Sequence, residues 1–336
     1  MSVSPSATPV EQPARLTMTA VVQDRYGTAA VLAHRTIARP EIGAGQVLLR
    51  VHAAGVNPAD WAVMSGLPYI ARPVYGMGKP KHAVRGTDVA GTVEAIGPGV
   101  TRFQIGDEVF GSADGSYADY AAAAEDELAP KPGNLTFEQA AATPMAGLVA
   151  QQALRSIRAG QKVLVNGASG GIGTFAVQIA KARGAEVTGV CSTRNVELVR
   201  SLGADHVIDY TKSNFTQGRE RYDLILDNVS NHSLSDLRRA LNPTGTLVPN
   251  GGGFDNRWFA SAGRLVRGKV LFARGGQTML NFLVSMKSEH LLTLAPLIEA
   301  GALTPVIDRT FPLSQAAEAI AHVGEGHARG KTVITV

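Results

Sequence analysis

Glycines at a regular spacing form the part of the sequence with the clearest chemical meaning. Gly167, Gly170 and Gly173 stand between the apolar run KVLVN and a segment with helical periodicity, TFAVQIAKARG. In a strand–turn–helix unit such glycines permit a tight turn and a close approach of pyrophosphate, and the helix offers its first N–H groups to the anion. The pattern predicts a dinucleotide site; the alternative is that the glycines only make the turn. The residues expected to contact the cofactor here are Gly167, Ser169, Gly170, Gly171 and Ile172.

The end of the next apolar run indicates which dinucleotide is bound. An NAD site usually carries an acidic residue about 20 residues further on, for the ribose 2′-hydroxyl. This chain has Cys191-Ser192-Thr193-Arg194 there, with no carboxylate in the run. The hydroxyls of Ser192 and Thr193 can donate to a 2′-phosphate, and Arg194 can pair with it through its planar fork. The sequence therefore predicts NADPH over NADH; the alternative is that Arg194 is a solvated residue at a helix start.

Cysteine and histidine give no sign of a metal site. The chain contains 1 Cys, Cys191, and 8 His, and no histidine stands in an H-E-x-x-H pattern or an i, i+4 pair. An intramolecular disulfide is excluded, which favours a reducing, cytoplasmic setting. We expect no bound metal.

Length and composition are those of a folded protein of about two domains. The chain has 336 residues, 45% hydrophobic and 18% charged, with a formal net charge of +4. No run of 18 apolar residues occurs, so we expect no membrane span and no membrane partner. The basic residues are scattered and do not alternate with aromatics in a stripe, so we expect no nucleic-acid partner. Residues 1–16 are rich in Ser, Pro and Thr and are predicted to be a disordered tail rather than a signal peptide.

Two rhythms follow one another along the chain. Residues 17–140 show short β-rich runs with turn signals, typical of a largely antiparallel, barrel-like domain. Residues 141–302 alternate helical segments with the runs KVLVN, AEVTGVC, HVID, DLILDNV, GTLVPN and KVLFA, which predicts an α/β doubly wound domain with a parallel six-stranded sheet. In its first helix a stripe is expected to cover the sheet: Ile172, Phe175, Ala176, Ile179 and Ala180. Residues 303–336 return to short elements that complete the first domain.

With these residues laid out, the chain from Met18 to Val336 resembles the medium-chain dehydrogenase/reductases. It is most similar to their zinc-free, quinone oxidoreductase-like branch, of the reticulon-4-interacting-protein type. The blocks that carry the resemblance are AAGVNPADW, RGTDVAGTVEAIGPGVTRFQIGDEVFG, LAPKPGNLTFEQAAATPMAG, the glycine region from residue 163 to 210, YDLILDNVSNHSLSDLRRAL and HARGKTVITV. The resemblance implies a GroES-like, partly open β-barrel domain, a Rossmann domain inserted into it, and an active site in the cleft between them.

The resemblance also explains the lack of metal ligands. Zinc-dependent members of the family carry a metal-binding Cys where Asn57 stands, and Gly-His-Glu where this chain has Gly86-Thr87-Asp88. A catalytic zinc needs three protein ligands, so the resemblance implies an enzyme without zinc.

Several further positions match cofactor-binding positions of the family. Asn57 corresponds to a residue on the nicotinamide side, or else makes an Asx turn before Pro58. Tyr210 would flank the adenosine 2′-phosphate or the adenine, or else cap the sheet edge. Lys331 would reach the cofactor, or else is a solvated residue at a strand start. The remaining expected contacts are Asn228, Asn250 and Gly251, at the carboxyl ends of the fourth and fifth strands, and Phe272, in the run 272–274, near the nicotinamide and a dimer seam.

No proton donor is evident among the matched residues. Ala62 and Val149 stand where some relatives have His or Tyr and Thr, respectively. The remaining catalytic candidates are Asn57 together with Tyr69 and Tyr75, while Asp60 is expected to be a structural partner. Both tyrosines belong to the segment 61–81, whose Gly, Pro and aromatic residues suggest a mobile loop over the substrate.

The function implied is hydride transfer from NADPH to a quinone or an α,β-unsaturated carbonyl, in a homodimer. The cofactor carries the hydride chemistry, so the protein has to position the acceptor and exclude water. The alternative is an NADPH-binding protein with little catalysis and a structural or RNA-associated role.

Overall fold

A computed structural model of the chain describes residues 16–251, 262–273, 275–326 and 328–336. The predicted N-terminal tail, apart from Leu16, and Arg274 lie outside these residues. The N-terminal strands are β1 (Thr17–Gln23), β2 (Leu32–Ala38), β3 (Gln46–Val56), β4 (Asp88–Ile96), β5 (Glu108–Ser112), β6 (Tyr120–Ala124) and β7 (Leu128–Pro130). The helices among and after them are α1 (Pro58–Ser65), α2 (Arg72–Tyr75), α3 (Phe137–Ala141) and α4 (Pro144–Ala153).

The N-terminal strands pair in an antiparallel manner and enclose a hydrophobic core of their own. β1 pairs with β2, while β3 is the central strand and pairs with both β4 and β6. In β3 alternate residues such as Val47, Leu49 and Val51 are buried, because successive side chains of a strand point to opposite faces. They pack against Val93 and Phe103.

The central part of the chain is a six-stranded parallel sheet with helices on its faces. Its strands are β8 (Lys162–Asn166), β9 (Glu186–Cys191), β10 (His206–Asp209), β11 (Tyr222–Asp227), β12 (Leu241–Pro249) and β13 (Thr278–Met279). Its helices are α5 (Gly171–Ala182), α6 (Val196–Ser201), α7 (Leu234–Ala240), α8 (Ala262–Phe272) and α9 (Ser288–Glu299). The order is β10-β9-β8-β11-β12-β13, with every pair parallel. The predicted doubly wound fold is confirmed, and so is the stripe on α5, where Phe175, Ala176, Ile179 and Ala180 are fully buried and Ile172 packs against them.

The predicted sixth strand, KVLFA, is wrong. Its residues up to Phe272 end helix α8, and the sixth strand is β13, which begins six residues later. A short apolar run fits a buried strand and a helix equally well. Gly268 and Phe272, four residues apart, form the buried side of the helix. Phe272 packs in the core with Leu164 and Leu237 instead of facing the expected nicotinamide site.

The C-terminal residues return to the first set of strands. β14 (Ile307–Pro312), α10 (Ala316–Gly324) and β15 (Lys331–Thr335) complete the chain. β15 pairs with β3 in an antiparallel manner and with β14 in a parallel one. The domain boundaries near residues 140 and 302 stay a prediction. Within the described residues, the helices are too short or too polar to span a bilayer.

Candidate functional site

The glycine turn joins β8 to α5 with little room for any side chain. Gly167 has φ +79°, a conformation that favours glycine. A Cβ added to Gly173 would lie 2.1 Å from the carbonyl oxygen of Gly167, so only glycine lets the helix start this close to the strand. Because α5 begins at Gly171, its first N–H groups have no partner within the helix. The turn therefore has the form of an anion site for a pyrophosphate.

The same turn is held against the last strand of the barrel. Gly170 forms a β-bridge with Gly330, and the Gly330 N–H donates to the carbonyl of Ser169 at 2.9 Å. A Cβ added to Gly171 would lie 3.1 Å from Cδ of Lys331. The phosphate end of the predicted cofactor site thus borders directly on the chain segment that leads into β15.

Lys331 itself is directed away from solvent into a buried polar cluster. Its ammonium donates to the Val56 carbonyl at 3.1 Å and to Oδ1 of Asn57, and lies 3.6 Å from Oδ2 of Asp88. The Asn57 amide donates to the same Asp88 oxygen at 3.0 Å. The backbone N–H of Met145, in the first turn of α4, donates to Asp88 at 3.3 Å. Both ends of the Asn57 amide are therefore engaged, and Lys331 is neither solvated nor extended into the cleft.

The charges in this cluster compensate one another. Burial lowers the pKa of Lys331 and raises the pKa of Asp88, and the attraction between the two groups opposes both shifts. A carboxylate and an ammonium that are both out of water need each other to remain charged.

Asp60 forms a second buried carboxylate beside the cluster. It accepts from the Asn57 N–H at 2.8 Å, at the start of α1, and from the Tyr117 hydroxyl at 2.9 Å. Burial raises its pKa to about 6, although these hydrogen bonds oppose the shift. Asp60 thus holds the backbone at the start of α1, in the structural position expected from the sequence.

A zinc ion does not fit at this place. The position of the family's ligand cysteine holds an amide whose NH2 donates to Asp88, and an ammonium already occupies the space beside Asn57 and Asp88. Among the described residues, no three His, Cys, Asp or Glu side chains are grouped so that they could hold a metal.

The predicted adenosine end of the cofactor site corresponds to the place where β9 and β10 terminate side by side. Asp209 is paired with Cys191 in the sheet, and its Oδ2 accepts from the Thr193 hydroxyl at 2.6 Å. The hydrogen bond from Thr193 and further ones from Thr211 lower the pKa of Asp209 to about 2. A carboxylate therefore does stand beside the run 192–194, and one of the two hydroxyls expected to donate to a 2′-phosphate is engaged with it. Asp209 ends the neighbouring strand, so a search confined to the end of β9 misses it.

Other predicted residues surround the same end. Asn195, which follows Arg194, donates to Ser169 Oγ at 2.9 Å and to Ser192 Oγ at 3.2 Å, which links the glycine turn to the end of β9. Arg194 and Tyr210 are exposed there. This end presents an Arg guanidinium, a phenol and a fixed carboxylate together.

At the opposite end, the carboxyl ends of β11 and β12 are tied together. The N–H groups of Asn250 and Gly251 donate to the Asp227 carbonyl at 2.9 and 2.8 Å, and the Asn250 amide donates to Asn228 Oδ1 at 2.8 Å. Ser230 has φ +62°, rare for a residue with a side chain, and its N–H donates to Asp227. The cluster brings the predicted residues Asn228, Asn250 and Gly251 to one edge.

A cavity of about 490 Å³ opens at this edge. Arg264 lines it and holds the buried carboxylate of Asp227 at 3.1 Å. No sequence motif singles out Arg264, because its partner Asp227 lies on a strand 37 residues away in the chain. Asn250 and Gly251 line the cavity too, so strand ends and a cation meet where a nicotinamide half-site is expected in an open α/β sheet.

The two candidate tyrosines lie on the short helical turns that follow α1. The Tyr69 ring lies under the Arg72 guanidinium, 4.6 Å from its centre. Tyr75 is half-buried, and burial raises its pKa, so it keeps its proton at neutral pH. Ala62 and Val149 are buried, in keeping with their apolar side chains.

Comparisons with known proteins agree with this geometry. Residues 43–133 match the family model described as alcohol dehydrogenase GroES-like domain, and residues 202–334 match the one described as zinc-binding dehydrogenase. The mouse NAD(P)H oxidoreductase RTN4IP1, mitochondrial, is 36% identical over 95% of this chain and 89% of its own. The Arabidopsis thaliana NADPH-dependent alkenal/one oxidoreductase, chloroplastic, is 34% identical over 94% of this chain and 79% of its own. The solved structure of a quinone oxidoreductase from Coxiella burnetii matches with a TM-score of 0.83 at 30% identity, covering 96% of this chain and all of that one. The predicted GroES-like and Rossmann architecture is confirmed.

Proposed function

Because the chain belongs to the medium-chain dehydrogenase/reductase superfamily, in its quinone oxidoreductase-like branch, we propose that it is a zinc-independent, NADPH-dependent reductase of quinones or α,β-unsaturated carbonyls. Its general class, an oxidoreductase that uses a nicotinamide cofactor, follows from that membership. The observation that carries dinucleotide binding is the glycine turn, which Gly170 joins by a bridge to Gly330, the residue just before β15.

Zinc independence rests on the chemistry of the buried cluster. Where zinc-dependent relatives bind a metal ion, this chain has the ammonium of Lys331 beside Asn57 and Asp88. Without a metal nothing evident lowers the pKa of a simple alcohol, which favours reduction of an activated acceptor over alcohol oxidation.

The described residues divide the work along the cleft. The cofactor supplies the hydride when it is bound. The pyrophosphate would be held by the glycine turn, through Gly167, Ser169 and residues 170–172. The adenosine end would be held by Ser192, Arg194 and Tyr210. The nicotinamide end would be held by Asn228, Asn250 and Gly251. A quinone needs no proton at the moment of transfer, whereas an enolate formed from an unsaturated carbonyl needs one at its α-carbon. Tyr75, protonated at neutral pH, is the candidate donor, with Tyr69 and water as alternatives.

The choice of NADPH rests on Arg194 and Ser192. Arg194 can pair with a 2′-phosphate through two parallel hydrogen bonds. Asp209 opposes this choice, because its carboxylate lies beside Thr193. The preference for NADPH over NADH is therefore a balance between one cation and one anion, and we expect it to be moderate.

A homodimer and a reducing, cytoplasmic compartment complete the proposal. Among the residues that the structure describes, β13 is the last strand in the order of the parallel sheet and pairs on one side only, so its other edge could pair with a second copy. Cys191 is buried and has no second cysteine in the chain to pair with, which suits a reducing compartment.

The test is NADPH oxidation with a panel of quinones, alkenals and cyclic enones, with NADH run in parallel. Turnover with one acceptor class is expected, and Arg194→Ala should raise the KM for NADPH at least about tenfold with little effect on that for NADH. Arg200→Ala is the matched control, because Arg200 is an exposed arginine that pairs with Glu197 on α6. NADPH binding without turnover on any acceptor would refute the reductase, and equal KM changes for both cofactors would refute the role of Arg194.

A further inference from the structure

The helical turns 69–75 expose an apolar face and bury a polar one. Tyr69–Ala71 and α2 form one continuous helical stretch. Ile70, Val74 and Met77 are 54%, 68% and 70% exposed, and Pro73 is exposed between them. Ile70, Pro73 and Val74 stand at i, i+3 and i+4 of this stretch, the spacing with which a helix in a water-soluble protein normally faces its core. Met77 follows just after the end of the helical stretch.

The inner face of the segment is fixed by polar and aromatic contacts. The Arg72 guanidinium lies over the rings of Tyr26 and Tyr69, at 4.8 and 4.6 Å, and its Nε donates to the Gly66 carbonyl at 3.1 Å. The Tyr26 hydroxyl donates to the Gly76 carbonyl at 2.5 Å. Because both ends of α2 are held this way, the outward direction of Ile70 and Val74 is set by the fold.

The charged residues in this stretch of the chain have one sign. Between Asp60 and Asp88 the chain contains no acidic residue but has Arg72, Lys79, Lys81, His82 and Arg85. Lys79, Lys81 and His82 are exposed directly after the apolar residues. The acidic residue just before Tyr26, Asp24, is paired with Arg35 at 2.8 Å.

We propose that segment 69–82 is a docking surface for an anionic lipid bilayer. Exposed aliphatic side chains at helical spacing, flanked by lysines and without acids, are the features of helices that lie in a membrane interface. Contiguous exposed apolar groups rimmed by charge mark a binding surface rather than ordinary surface. The proposal departs from our expectation of no membrane partner, which followed from the lack of an apolar run long enough to span a bilayer; a peripheral contact needs no such run.

The docking surface belongs to the part of the chain that leads to the candidate site. The segment follows α1 and leads to β4. Asn57, at the start of α1, is hydrogen-bonded to Asp88, at the start of β4, so the stretch of chain that carries the docking surface begins and ends at the buried cluster. A bilayer against this surface would supply lipophilic acceptors to the side of the molecule that holds the candidate site. The inference does not depend on the proposed reaction, because lipid binding is measured without an acceptor.

The test is co-sedimentation of the full chain with vesicles of phosphatidylcholine alone or mixed with phosphatidylglycerol. We expect binding to the anionic vesicles only, weakened by salt. The double variant Ile70→Ser/Val74→Ser and the double variant Lys79→Gln/Lys81→Gln should each lower the partition coefficient about tenfold or more. The matched control is Ile105→Ser/Arg158→Gln, which removes an equally exposed aliphatic residue and an exposed cation elsewhere.

A second readout separates loss of docking from loss of folding. The affinity for NADPH, measured by fluorescence, should stay the same in all variants, because none of the substituted side chains belongs to the glycine turn or contacts it in the described structure. Equal binding to neutral and anionic vesicles, or full binding by the Ile70→Ser/Val74→Ser variant, would overturn the proposal. So would absence of binding together with a change of oligomeric state in that variant, because the face would then be covered by a second copy.

Discussion

Replacing Lys331 by methionine isolates the contribution of the buried ammonium. The side chain keeps its approximate length, but the carboxylate of Asp88, which is fully buried, loses its cation. Removing one partner of a buried ion pair costs about 3–5 kcal/mol of stability. The Asn57 amide and the Met145 N–H still donate to Asp88, which places the expected cost near the lower limit, about 3 kcal/mol.

The pH dependence of this cost distinguishes a charge effect from a packing effect. Burial already raises the pKa of Asp88, and loss of Lys331 raises it further. When the pKa of a carboxyl is higher in the folded than in the unfolded state, the protein loses stability as the pH rises from the unfolded-state pKa to the folded-state pKa. The deficit of Lys331→Met relative to the parent should therefore be smaller at pH 5 than at pH 8.

Urea unfolding followed by circular dichroism, at both pH values, measures the effect. The double variant Lys331→Met/Asp88→Asn removes the uncompensated charge and should recover most of the lost stability, while Asp88→Asn alone should destabilise. Equal deficits at the two pH values, or additive effects of the two substitutions, would refute the idea that the ion pair holds this cluster together.

Three further predictions concern the cofactor turn, the adenosine end and the second buried carboxylate. Gly173→Ala should weaken NADPH binding at least about tenfold, because its Cβ would meet the Gly167 oxygen at 2.1 Å; Gly133→Ala, where a Cβ meets nothing, is the control for equilibrium dialysis. Asp209→Asn should lower the KM for NADPH roughly threefold through loss of a nearby negative charge, and an equal change for NADH would contradict this. Asp60 has its pKa raised to about 6 by burial, so the parent should lose roughly 2 kcal/mol between pH 4 and pH 7 relative to Asp60→Asn; parallel stability curves would disprove it.

Features that depend on neighbouring residues in the chain were predictable from the sequence. The glycine turn and the buried stripe of α5 occupy consecutive residues, and the positions of Gly167, Gly173 and Phe175 follow from steric and periodic rules. The prediction of the sixth strand was wrong because its structure depends on residues that are distant in the chain. The residues leading to Phe272 are apolar without a decisive period, and only packing against Leu164 and Leu237 makes them a helix.

Contacts between distant segments were beyond a reading of single motifs. Asp209 meets Thr193 because two parallel strands end in register, although the residues are 16 apart. Lys331 and Asn57 are 274 residues apart, and the sequence offers nothing local that would direct the ammonium inward. Resemblance brought both residues to notice as cofactor contacts, but it gave no information about their contact with each other.

Lys331 connects the glycine turn to the buried cluster of Asn57 and Asp88. Its Cδ borders the glycine turn at Gly171, while its ammonium holds Asn57 and Asp88 at the start of α1 and of β4. A side chain in contact with both cannot shift at one end without changing the other, because the surrounding groups are buried and closely packed. If a pyrophosphate binds at the turn as proposed, it would act on the same residue that organises the candidate substrate side. A metal ion held by the barrel alone would not provide that connection, since it would have no covalent link to the strand that meets the turn.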